Sequence, residues 1–93
     1  MKHLVLLCLL FLAAPAQAAL KVFACEPEWG ALATEFGGDK VTVYTATSAR
    51  QDPHHIEARP SLIARVRSAD LVVCTGADLE AGWLPLLLRS AGN

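Results

Sequence analysis

Three things are missing from this chain, and each absence narrows what it can do. There is no excess of charge of one sign: eight Lys and Arg stand against nine Asp and Glu, with no basic cluster. A nucleic-acid-binding surface is therefore not expected. Three cysteines occur, but none makes a Cys-x-x-Cys pair or a zinc-finger spacing. There is also no Gly-x-Ser-x-Gly elbow. A hydrolytic or thiol-redox enzyme needs a nucleophile with a base in reach, and no such pattern is visible, so the chain reads as a non-enzyme. One long apolar run exists, Leu4 to Ala14, with no second one after it. It falls short of the roughly 20 apolar residues that cross a bilayer.

That run has the flanks of an export leader. Lys2 and His3 precede it, Pro15 breaks it, and Ala16-Gln17-Ala18 forms a small-x-small cleavage site. Residues 1–18 are expected to be a cleavable signal peptide, with residues 19–93 as the exported part. Cys8 sits inside the apolar run behind Leu7, a poor setting for lipid attachment, so it is expected to leave with the leader. About 75 exported residues can build only a small core, worth a few kcal/mol.

The exported part alternates strand-like and helix-like segments. Leu20 to Cys25 reads as a strand. Pro27 suits the first turn of a helix, and Trp29, Leu32, Ala33 and Phe36 recur at helical spacing on one face. Gly37-Gly38 closes that helix. Val41 to Thr45 is a second strand, and Ala46 to Arg59 a polar loop. Pro60 opens a second helix with Leu62, Ile63, Val66 and Ala69 facing inward. Leu71 to Cys74 is a third strand, and a last helix becomes regular near Trp83 because Pro85 is tolerated only in a first turn. The order β-α-β-loop-α-β-α predicts an α/β fold, a parallel sheet flanked by helices on both faces. Ligands in such sheets bind at the carboxyl ends of the strands, the edge on which the 46–59 loop lies.

Asp52-Pro53-His54-His55-Ile56-Glu57 is the stretch richest in chemistry. Neutral imidazole is a common transition-metal ligand. A carboxylate on the far ring nitrogen fixes the tautomer and raises ligand basicity, a role open to Asp52 or Glu57. Adjacent histidines in an extended segment point to opposite sides, so the pair is not expected to grip one ion. Cys25 and Cys74 fall at the carboxyl ends of strands expected to be neighbours. Two buried thiols, a disulfide between them and a metal role all stay open. Glu26, Glu28 and Glu35 are expected on a solvated face near a helix N-terminus, Trp29 and Trp83 in the core, and Glu80 in a structural role.

Three blocks carry a family resemblance: Gly37-Gly38-Asp39-Lys40-Val41; Asp52-Pro53-His54 with Glu57 and Pro60-Ser61; and Ser68-Ala69-Asp70-Leu71-Val72-Val73 with Gly76, Leu79-Glu80 and Trp83-Leu84. In order and spacing the chain resembles the N-terminal lobe of the zinc and manganese solute-binding proteins of bacterial ABC importers. Ala58 departs from the proline that members often carry there. The resemblance implies a partial N-terminal lobe of a two-lobed periplasmic metal-binding protein, with His54 as a metal ligand and His55 as its neighbour. Asp52 and Glu57 are the candidates to support the ligand. The cargo implied is zinc, or manganese next, handed to an ABC permease in the inner membrane by a monomer. The remaining ligands are expected beyond residue 93, in a longer protein. Two other readings are a secreted α/β binding protein for an iron chelate or cobalamin, and a secreted thiol-dependent enzyme.

Overall fold

Alternation along the first strand decides the layering. In β1 (Leu20–Ala24), Val22 and Ala24 point to one face of the sheet, and Phe23, followed by Cys25, to the other. All four are buried, the pattern of a central strand covered on both sides. The computed structural model describes residues 18–93; the leader expectation and Cys8 lie outside the described residues. The sheet has three parallel strands in the order β2-β1-β3, where β2 is Val41–Thr45 and β3 is Leu71–Val73. Leu20 pairs with Val41 and Ala24 with Thr45 on one side; Val22 pairs with Leu71 and Ala24 with Val73 on the other.

Among the described residues, each α-helix carries a proline in its first turn, where the missing N–H costs nothing. Helix α1 (Pro27–Gly37) ends at Gly38, whose φ of +54° suits glycine. Gly30 is buried on its inner side: a Cβ there would strike the Thr45 hydroxyl. Helices α2 (Pro60–Ser68) and α3 (Leu84–Ala91) pack against each other across the other face. Their Leu62, Val66, Leu87 and Ala91 close over Phe23, Cys25 and Trp83 to form the core.

Helices cover both faces, as expected, but not evenly. Helix α1 lies over β1 and β2 and leaves the β3 side of its face open. Leu71 is 47% exposed and Phe36 83%. Trp29 is half-buried, with its indole N–H donating to the Thr75 hydroxyl at 2.8 Å. So Trp83 is a core aromatic and Trp29 is not. The 29/32/33/36 stripe is apolar by sequence, but among the described residues it stays partly uncovered, with Leu32 itself 44% exposed.

A disulfide joins Cys25 to Cys74, with Cα atoms 4.9 Å apart. Both residues sit one step past the last paired residues, Ala24 and Val73. The rule that neighbouring side chains on paired strands run alongside one another is relaxed there, while the backbone stays close enough to bridge.

Candidate metal centre

The loop after β2 is anchored at both ends before it reaches its histidines. At its start, the buried Thr47 hydroxyl donates to the Cys25 carbonyl at 2.7 Å. Further on, the Trp83 indole N–H donates to the Pro53 carbonyl at 2.7 Å, a bond across 30 residues. Gly82, next to Trp83, lets the two segments touch: a Cβ there would lie 2.9 Å from the His54 carbonyl oxygen. A stiff loop on a rigid edge is what precise ligand placement requires.

At the second anchor the chain turns, with the His55 N–H donating to the Asp52 carbonyl at 3.0 Å. This turn replaces the extended segment on which the alternation of His54 and His55 was expected. Asp52 now meets both rings: Oδ1 lies 2.8 Å from His54 Nδ1 and Oδ2 2.9 Å from His55 Nδ1. Oδ1 also accepts the His54 backbone N–H at 3.0 Å. A carboxylate partner calls for a proton on Nδ1, so each neutral ring keeps its lone pair on Nε2, the atom free to take a metal. Both rings are exposed, His54 at 59% and His55 at 83%. The His54 backbone N–H first, then the His55 and His54 side chains, hold the Asp52 carboxyl well below the usual carboxylate range. Asp52 therefore stays an anion under all ordinary conditions. Among the described residues, no hydrogen bond reaches the Glu57 carboxylate.

A second polar cluster lies on the same sheet edge. Glu26 and Glu80 are buried, at 2% and 3% exposure. Both accept the Thr75 backbone N–H, at 3.3 and 3.1 Å. Glu26 also takes the Thr75 hydroxyl at 2.8 Å, and Glu80 the Gly76 N–H at 2.9 Å. Glu80 thereby braces a turn in which Ala77 and Asp78 both adopt positive φ, 52° and 67°. Such strain persists only where neighbours enforce it. Glu26 Oε2 is buried with no partner. The solvated setting expected of Glu26 is thus wrong, although Glu28 and Glu35 are exposed as expected.

Burial first, and then the adjacent Glu80, raise the Glu26 carboxyl above its ordinary value. The folded chain then holds that proton more tightly than the unfolded one. Stability from this group is full at acid pH and falls as pH rises through the window above 4.5. Glu26→Gln is expected to match the wild type in urea melts at pH 4 and to exceed it at pH 7. An unchanged difference between the two pH values would contradict this account.

Comparison with known proteins gives the chain a family. A family model described as zinc-uptake complex component A, periplasmic, matches residues 22–93. The chain belongs to this family. A manganese ABC transporter substrate-binding lipoprotein, PsaA of Streptococcus anginosus, is 31% identical over 75 residues, 77% of this chain and 24% of that protein. An iron ABC transporter substrate-binding lipoprotein, MtsA of Streptococcus pyogenes serotype M1, is 29% identical over 77% of this chain and 24% of its own length. The crystal structure of ZnuA superposes with a TM-score of 0.73 at 28% identity, covering 82% of this chain and 30% of that one. The chain spans about a quarter of the length of the curated relatives it matches. These zinc-uptake family relatives are named as metal-binding parts of transporters, not as enzymes. The parallel α/β fold is common to this chain and the family.

The sequence alone singles out Asp52, His54, His55 and Glu57. The structure gathers the two histidines on the Asp52 carboxylate and leaves Glu57 aside. The parts that reading missed are Gly82, the reach of Trp83 to Pro53, and the burial of Glu26. Gly82 is the one that left a signal, as a glycine immediately before a core tryptophan.

Proposed function

We propose that this chain is part of the N-terminal lobe of a periplasmic substrate-binding component of an ABC importer. It captures a transition metal and passes it to a permease in the inner membrane, working as a monomer behind a cleaved leader. His54 Nε2 is the metal-binding atom, with Asp52 holding its tautomer. His55 shares that carboxylate but is the more exposed ring and stands beside the site.

The observation that carries this reading is the 2.8 Å contact between His54 Nδ1 and Asp52, on a loop fixed at the carboxyl edge of a parallel sheet. It is the carboxylate–imidazole pairing by which proteins prepare a histidine for a metal. Zinc is the preferred cargo because imidazole and borderline softness suit it, and manganese is next. The metal is cargo, so no bond in it is made or broken beyond coordination. One imidazole cannot build a tight site alone, since zinc keeps three or four protein ligands; the other ligands come from the rest of the longer protein.

The test is metal content after exposure of the full-length apo protein to equimolar zinc, manganese and ferrous iron, followed by desalting. Retention of about one zinc per chain is the expected result. A protein that retains none of the three metals would sink the proposal.

A further inference from the structure

The disulfide closes over a group of donors that the loop site does not use. The Cys25 and Cys74 sulfurs and a Glu80 carboxylate oxygen all lie within 4.8 Å of one another. Cys25 and Glu80 are buried and Cys74 is partly exposed. Glu26 follows Cys25 directly and meets Glu80 on the same Thr75 N–H. Its Oε2 is fully enclosed and has no partner.

These observations belong together if the cluster has a second state. We propose that, when the disulfide is reduced, Cys25, Cys74 and Glu80 bind one zinc ion at a site separate from the His54 loop. Two thiolates and one carboxylate match the donor types, and three protein ligands the minimum number, that zinc accepts. In the disulfide state the same sulfurs have no charge to offer and the site is shut. The cluster is therefore a redox-gated metal site.

The chemistry balances with a dithiol as reductant. A thiolate of the dithiol attacks the partly exposed Cys74 sulfur and forms a mixed disulfide, and the S–S electron pair leaves on Cys25 as thiolate. The second thiol of the reductant then attacks its own sulfur in the mixed disulfide, releasing Cys74 and ending as a disulfide itself. Two electrons and two protons have moved to the cysteines. Zinc entry displaces the protons still carried by the two sulfurs. An oxidising compartment keeps the bridge closed until such a dithiol arrives.

The His54 loop and this cluster are joined through one short segment. Glu80 lies three residues before Trp83, whose indole holds Pro53. Filling the cluster therefore acts on the segment that anchors the His54 loop.

The experiment uses the full-length protein carrying His54→Ala, which removes the loop ligand. Zinc stoichiometry is measured on the oxidised form, and anaerobically on the form reduced with a phosphine. Cobalt(II) replaces zinc in a parallel series as a spectroscopic probe. The expected result is one more zinc per chain in the reduced form than in the oxidised form. Cobalt should then show an intense near-ultraviolet thiolate-to-metal band. Cys25→Ser with Cys74→Ser should abolish both signals, and Glu80→Gln should weaken zinc binding about tenfold or more. Equal stoichiometry in the two redox forms overturns the proposal. So does cobalt uptake without the sulfur band, or a reduced protein that unfolds and is not refolded by zinc. The comparison of redox forms needs no substitution in the cluster, so a Glu80 variant that fails to fold leaves it intact. Zinc binding by the oxidised wild type reports on the His54 loop alone, so failure of either site is seen separately.

Discussion

Replacing His54 with alanine in the full-length protein is expected to weaken zinc binding at least ~100-fold, at the upper end of or beyond what losing an outer-shell partner costs. The reason lies in one ring. Its Nδ1 is committed to Asp52 at 2.8 Å, so its Nε2 is the coordinating atom, and alanine leaves nothing in its place. Asp52→Asn keeps the size but removes the charge that holds Nδ1 protonated. It should cost about 10-fold, within the 10- to 100-fold range for such partners. His55→Ala should cost less than either. Competition against a chelator of known affinity gives all three values. If His55→Ala proves the most damaging, the assignment of the ligand to His54 is wrong.

Trp83→Ala is expected to be the most destabilising single change, at about 3–5 kcal/mol. Trp83 is 1% exposed and packs with Phe23, Leu62 and Leu87. The substitution empties the centre of a small core and also frees the Pro53 carbonyl that the indole N–H satisfies at 2.7 Å. Domains are stable by only about 5–15 kcal/mol, so this loss is a large share. Trp83→Phe separates the two contributions. It keeps most of the apolar burial and loses one hydrogen bond, worth about 1 kcal/mol net. Its larger effect should fall on the metal site, because the loop loses its anchor. Urea denaturation of wild type and both variants measures the first effect, and zinc titration the second. A loss below about 1 kcal/mol for Trp83→Ala would show that the core does not depend on this residue.

These expectations mix what was legible in the sequence with what was not, and the dividing line is physical. Local signals served well. Pro27 and Pro60 open helices, Gly38 closes one, and Pro85 places the start of the last helix. The β-branched run at Val41–Thr45 is a strand, and the strand–helix alternation yields a parallel sheet. What failed was everything set by long-range contact. Glu26 looks like a helix-start carboxylate from its neighbours, yet Thr75, 49 residues away, draws it inside. Trp29 and Phe36 lie on an apolar stripe, but whether a stripe is buried depends on what packs over it. The double grip of Asp52 depends on a turn that two adjacent histidines alone do not reveal.

The place of β1 in the sheet has a consequence for how the chain is made. The strand synthesised first is the central one, and its two neighbours end 21 and 49 residues later by the register of Ala24 with Thr45 and Val73. Ala24 waits for its second partner until 49 more residues have emerged. Throughout that delay a fully apolar ladder edge, Val22-Phe23-Ala24, stands open to any other strand. The Cys25–Cys74 bridge spans the same interval, so it cannot form before Cys74, one residue past β3, has emerged, and it then ties β1 to β3.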